Sequence, residues 1–243
     1  MLYLIGIGLG KKDISINALE AIKKCKKIYF ESYTNVLPVP LKELEKLLKR
    51  KLKRVDRKFV EEGERLIKEA EKRNVALLVS GDALIATTHI ELIIMARKEG
   101  VKVEVIHAPS IINYVTETGL QSYKFGRIVS IAKWKPNFNP ESFYDVIKQN
   151  LQAGNHSLLL LDIGLSVKEA LSYIESIAKA RDLEMLNREM IVCERMGTDK
   201  QKITIGDIYV LSQKKFSLPA CIIIPGKLHF VEAEMIEMLK RKI

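Results

Sequence analysis

The sequence predicts an α/β protein built as two α/β domains. Short, wholly apolar runs alternate with amphipathic runs from one end of the chain to the other. In the first half the apolar runs are continuous, as expected of strands covered on both faces of a parallel sheet. The first of them, Leu2-Tyr3-Leu4-Ile5, empties into a loop with glycine at every second position, Gly6-Ile7-Gly8-Leu9-Gly10. Glycine lets the chain turn tightly and lets a ligand approach the main chain.

Taken in order, the opening strand is followed by Ser15, a good N-cap for an amphipathic helix over residues 16–27. Residues 28–30 form a second strand, 41–51 a helix and 61–73 another helix. Residues 75–79 form a buried strand that ends at Ser80-Gly81-Asp82. A helix over 88–99 stops at Gly100, its C′ residue, and a strand over 101–106 leads to His107-Ala108-Pro109-Ser110. Gly119, Gln121, Ser122 and Gly126 interrupt the pattern and place a domain boundary within 112–125. The division is therefore 1–115 and 116–243. The second half has a β-rich run at 127–132, a Pro- and Asn-rich loop, a helix at 141–151 and a strand at 157–162. Ser166 caps a helix to 181, 190–194 is a strand, and 203–211 is a short helix or mixed segment. Residues 221–224 form the last strand and 230–241 the terminal helix.

The chain has 243 residues, 47% hydrophobic and 29% charged, a composition that fits a soluble globular protein. No apolar run approaches the roughly 18–20 residues a membrane helix needs. Met1 leads straight into a strand, so no signal peptide is expected. Cys25, Cys193 and Cys221 are far apart in sequence and make no C-x-x-C pair, and His89, His107, His156 and His229 lack metal-ligand spacing. Neither a disulfide framework nor a protein-bound metal is expected, and a reduced cytoplasmic setting is. Residues 42–58 hold nine of the basic residues against three acids, +6 of the net +10. No aromatic interleaves with them, so direct nucleic-acid binding is not expected. Leu41, Leu44, Leu47 and Leu48 fall at helical spacing, which reads as a solvated or protein-docking helix face.

The glycine loop is not a dinucleotide fingerprint by spacing. G-x-G-x-G replaces G-x-G-x-x-G, Lys11 stands where the third glycine belongs, and the helix starts late. Glu31 does stand about where a ribose-binding acid would, which keeps a nicotinamide reading open beside that of a plain tight turn. Ligands of open α/β sheets bind where strands end, which selects the 6–10, 81–88 and 107–112 loops. Asp82 is either an acceptor facing a ligand or a helix N-cap. Ser110, heading an apolar helix, either presents amides to a carboxylate or caps. In the second half the loops after Leu161-Asp162 and around 225–229 are candidates, with His229 reading as a helix-start residue.

These stretches carry a resemblance. Residues 2–10, G-D-A-L-I-A-T-T-H at 81–89, 107–112, Y-K-F-G at 123–126, P-E-S-F-Y at 140–144, L-L-D-I at 160–163 and P-G-K-L-H at 225–229 resemble the diphthine synthases. That family belongs to the tetrapyrrole (class III) methylase superfamily, and the resemblance covers essentially the whole chain in order. It implies two α/β domains with S-adenosylmethionine in the cleft between them, usually in a homodimer. The implied substrate is the modified histidine of translation elongation factor 2, methylated on the amino group of its 3-amino-3-carboxypropyl arm. Carried over by position, the cofactor contacts are Leu9, Asp82, Ile85, Ser110, Ile111, Leu161, Ile205 and His229. Ala83 departs from the family's G-D-P triplet.

Methyl transfer from a sulfonium is an in-line displacement in which the methyl group is already activated, so the protein supplies alignment and a dry site. No side chain is singled out as a base, and no essential catalytic residue is expected. The alternatives are another class III methylase acting on ribosomal RNA or a corrinoid, and a non-enzymatic RNA- or protein-binding module centred on the basic stretch.

Overall fold

The computed structural model describes residues 1–33 and 40–241. The chain divides into two compact units, Met1–Ile111 and Ile112–Ile243.

In the first unit the strands are β1 (Leu2–Gly6), β2 (Lys27–Glu31), β3 (Lys53–Val55), β4 (Val75–Val79) and β5 (Val103–Ile106). They form one sheet in the order β3-β2-β4-β1-β5, and every pairing is parallel. The helices are α1 (Ile16–Lys24), α2 (Leu41–Leu48), α3 (Arg57–Glu62), α4 (Glu64–Lys72) and α5 (Ile90–Lys98). Side chains alternate across the sheet. Leu2, Leu4, Leu77 and Val79 pack on Val60, Leu66, Ile67 and Leu92 of α3–α5. Tyr3, Ile5, Phe30 and Leu78 pack on Ala18, Ile22, Leu44 and Leu48 of α1 and α2. Burial on both faces explains why these strands read as unbroken apolar runs.

The second unit contains α6 (Ile111–Tyr114, its first residue at the join), β6 (Val129–Ile131), α7 (Ser142–Gln152), β7 (Ser157–Leu161), α8 (Val167–Arg181), β8 (Met190–Glu194), β9 (Lys202–Gly206), α9 (Ile208–Ser212), β10 (Ala220–Ile224) and α10 (Phe230–Lys240). The strand order is β6-β7-β10-β8-β9, with β6 and β7 parallel and the rest antiparallel. Leu159, Val192, Ile222 and Ile224 meet α7 and α8 on one face. Cys193 and Cys221, distant in sequence, are register partners across β8 and β10 and are free, buried thiols.

Several expected boundaries move. The 41–51 helix stops at Leu48 because Lys49 turns left-handed, φ 51°, and the basic run after it contains a strand, β3. The 61–73 helix is two helices, broken at Gly63 with φ 64°. The mixed segment 203–211 is strand then helix, with Asp207 capping α9 through the Val210 amide at 2.8 Å. No described helix is long and apolar enough to cross a membrane.

Candidate active site

Three loops of the first unit meet at the carboxyl ends of β1, β4 and β5. Gly6 has no room for a side chain: a Cβ there would stand 2.7 Å from the Gly81 carbonyl oxygen and 3.1 Å from both Ala108 Cβ and Asp82 Cα. Gly81 donates its amide to the Gly8 carbonyl at 2.9 Å and accepts from Gly8 at 3.2 Å. Both take the left-handed backbone, φ 74° and 78°, which glycine adopts without penalty. A Cβ on Gly81 would meet Leu9 Cδ2 at 3.6 Å and Ser110 Cα at 3.9 Å. Leu9, Asp82 and Ser110, chosen from sequence, are thus brought together around Gly81. Ile85 is exposed on the loop that follows Asp82, and Ile111 opens α6, partly buried.

The glycine loop's own donors are already satisfied. Ile7 donates to Val79, and the Leu9 and Gly10 amides donate to Asp13 Oδ2 at 2.9 and 2.8 Å. A pyrophosphate needs such amides free; here the chain's own carboxylate takes them. Glu31 is buried in β2, accepting from the Tyr33 amide at 3.0 Å. The nicotinamide reading has no geometry behind it.

Asp82 is buried, and both oxygens of its carboxylate accept hydrogen bonds. Leu84 N donates to Oδ1 at 2.9 Å, and His107 Nδ1 and Ala108 N donate to Oδ2 at 2.8 and 3.1 Å. Burial pushes its pKa up, but the two amides and the His107 ring outweigh that and hold it below the usual carboxylate range. It caps no helix, since α5 begins at Ile90. It ties the end of β4 to the end of β5. The A-T-T-H motif is its support: the buried His89 donates from Nδ1, and Thr87 from its hydroxyl, to the Ala83 carbonyl, each at 2.9 Å. These two donors fix the turn at Ala83.

In the second unit Ile205 is buried in β9 and lines a cavity of about 180 Å³ with Ile191, Pro225, Leu228 and Ile236. His229 is exposed at the N-cap of α10, and its Nδ1 accepts from the Val231 amide at 3.4 Å. Leu161 stands apart from these two. Register pairs Ile205 with Ile191, Ile191 with Ile223 and Ile223 with Leu158, which puts Leu161 three residues further along β7 and three strands away.

The loop carrying His229 is held by a buried network. Glu232, wholly buried, accepts from Gln121 N at 2.9 Å, His229 N at 2.7 Å, His156 Nε2 at 3.0 Å and the Lys124 ammonium. His156 Nδ1 accepts the Gly226 amide at 2.9 Å, and Lys124 also donates to the Lys227 carbonyl at 2.7 Å. Burial alone would raise the pKa of Glu232; Lys124, the two amides and His156 together bring it down to about 2. Burial drives that of His156 down, more strongly than Glu232 raises it.

The family model of the Tetrapyrrole (Corrin/Porphyrin) Methylases matches residues 1–211. The diphthine synthase of Methanococcus maripaludis is 39% identical over 255 residues, covering 100% of both chains. The chain belongs to the diphthine synthases. The diphthine methyl ester synthase of Bos taurus is 39% identical over 273 residues, covering 98% of this chain and 94% of its own. A solved diphthine synthase superposes with a TM-score of 0.86 at 29% identity, over 100% of both chains. S-adenosylmethionine-dependent methylation in diphthamide biosynthesis is the activity that goes with this membership.

Sequence reasoning selected the stretches that hold His107 and Lys124 but gave neither side chain a role, and it missed Asp13, His156 and Glu232 as supports of this methyltransferase's loops. Asp13 had a signal, a carboxylate three residues past a glycine loop. The partners of Glu232 lie as far as 111 positions away, and no local pattern reports such a pairing.

Proposed function

We propose that the chain transfers methyl groups from S-adenosylmethionine to the amino group of the modified histidine of translation elongation factor 2. Leu9, Asp82, Ile85, Ser110, Ile111, Leu161, Ile205 and His229 are the cofactor contacts. The observation that carries the reading is the filled glycine loop. With its Leu9 and Gly10 amides turned inward onto Asp13, it has no row of free amides for a phosphate, which favours a cofactor held without a pyrophosphate. Asp82 also holds the 82–85 and 107–110 segments in place through the Leu84, His107 and Ala108 donors.

The bound cofactor supplies an activated methyl group; the residues of the chain align the acceptor and keep water out. The test is incubation with methyl-labelled S-adenosylmethionine and elongation factor 2 carrying the unmethylated side chain, followed by mass spectrometry of the target histidine. Label on that residue that survives mild hydroxide supports N-methylation. Label released by hydroxide is an ester, the product named for the Bos taurus relative, and would move the acceptor to the carboxylate. Label in ribosomal RNA or a corrinoid would overturn the reading.

The basic stretch docks the acidic protein substrate. Arg50 is not part of that surface, because its guanidinium donates to the Ile22 and Lys23 carbonyls at 3.2 and 3.4 Å and to Cys25, closing the end of α1. Lys49, Lys51 and Lys53 are exposed. Reversing these three charges weakens factor methylation at low salt and leaves cofactor affinity unchanged; unaltered kinetics would remove the role. The chain works as a homodimer, for which the exposed Ile90 and Ile94, one helical turn apart on α5, offer a face. It acts in the cytoplasm, where a translation factor is met.

A further inference from the structure

We propose that Nε2 of His107 is the base that takes the proton from the acceptor amine. The inference rests on the methyl-transfer reading and adds a catalytic residue where the sequence led us to expect none.

His107 Nδ1 lies 2.8 Å from Asp82 Oδ2, and the two side chains have opposite surroundings, 69% and 6% exposed. The Asp82 carboxylate also accepts two backbone amides, so it offers His107 only an acceptor. Nδ1 therefore carries the hydrogen, and the neutral ring presents Nε2 as a bare lone pair. Among the described residues Nε2 has no partner. A buried carboxylate that fixes the tautomer and orientation of an imidazole whose far nitrogen is free is the arrangement that general-base catalysis uses.

The other three histidines lack it. His89 donates from Nδ1 to Ala83, and its Nε2 faces the Tyr33 hydroxyl at 3.3 Å. His156 uses both nitrogens inside the second unit. His229 accepts an amide at Nδ1, which leaves its hydrogen on Nε2, a donor. His107 directly follows β5, beside Asp82 and the Ala108 that packs on Gly6, among the loops that gather Leu9 and Ser110.

The step balances without a further reactant. The acceptor ammonium passes one proton to Nε2, freeing its lone pair. That pair forms the new C–N bond as the methyl C–S bond breaks, and the bond's electrons stay on sulfur. The exposed imidazolium then returns its proton to solvent.

His107→Asn is the decisive variant, because its side-chain amide can still donate to Asp82 while Nε2 is gone. We expect kcat to fall about 100-fold, the low end for a positioned base, with S-adenosylmethionine affinity by calorimetry unchanged. Added imidazole should restore part of the rate to His107→Ala, since the position is open to solvent. Nitrogen NMR of the resting enzyme should show a protonated Nδ1 and a bare Nε2 on His107. Full activity in His107→Asn would reduce the ring to a partner of Asp82 and overturn the proposal. So would a rate loss explained by weaker cofactor binding, no imidazole rescue, or a hydrogen on Nε2. Wild-type enzyme in parallel separates the two readings: if it methylates no factor, the proposed function fails, whatever the tautomer.

Discussion

Each unit holds one buried carboxylate that gathers two backbone amides and one histidine, and the two histidines end in opposite situations. Asp82 collects Leu84, Ala108 and His107; Glu232 collects Gln121, His229 and His156, with Lys124 in addition. His156 is wholly buried, and its second nitrogen is consumed by Gly226. His107 is largely exposed, and among the described residues its second nitrogen has no partner. The same local chemistry makes a clamp when the far nitrogen is satisfied and a reactive group when it is not. What separates structure from chemistry here is the far side of the ring.

The largest effect should come from breaking the clamp. Glu232→Ala leaves the Lys124 ammonium and His156 without their common acceptor, and removing one partner of a buried pair costs about 3–5 kcal/mol. Urea unfolding should register a loss of that size, and His229 should lose its fixed place on the loop. A loss below about 1 kcal/mol, the range of exposed ion pairs, would mean that the network is no clamp.

Acid should probe the same network in two windows. Glu232 titrates at about 2 in the folded chain against 4.5 for the free group. A folded value below the unfolded one means stability present above about pH 4.5 and lost as pH falls toward 2, on the order of 3 kcal/mol. His156 has its value lowered from 6.5, so the unfolded chain takes up the proton first and stability also declines as pH drops below 6.5. Glu232→Gln should flatten the lower window in a pH series of unfolding free energies. An unchanged acid limb would place the titration elsewhere.

Asp82→Asn should cost less, about 1–3 kcal/mol, because the amide nitrogen that replaces one carboxylate oxygen cannot accept, and at least one of the three donors is left without its acceptor. Activity should fall further than stability does, since the His107 tautomer goes with the carboxylate. Thermal unfolding beside initial rates measures both.

Much of this was legible in the sequence, and the legible parts share a physical cause. The strands of the first unit announced themselves because both faces are buried, so Leu77, Leu78 and Val79 form an unbroken run. Leu9, Asp82 and Ser110, picked from loops far apart in sequence, lie near one another because strand ends in a parallel sheet are neighbours by topology. The strand β3 was hidden because only Val55 of its three residues is buried, leaving Lys53 and Arg54 to read only as part of the basic stretch. The direction in which the Asp82 carboxylate turns was not legible at all. It depends on His107 and Ala108, some twenty-five positions on, and a sequence window sees a conspicuous acid without seeing its donors.

The smallest expected effect is the most discriminating. His107→Asn should change stability by no more than about 0.5 kcal/mol, the range of surface substitutions away from special features. The ring is exposed, and asparagine preserves the donor to Asp82. His156→Asn, in a site with no exposure, must lose either the Gly226 or the Glu232 contact, because its shorter side chain cannot span both. It should cost about 1–3 kcal/mol for the polar group left unpaired. Denaturant midpoints of the two variants, measured beside their methylation rates, should therefore cross: the variant that is stable is the inactive one, while His156→Asn loses activity only in proportion to folded protein and looser cofactor binding. If both variants lose stability together and rate together, the two carboxylate–histidine pairs do the same work, and the exposed face of His107 has no chemical consequence.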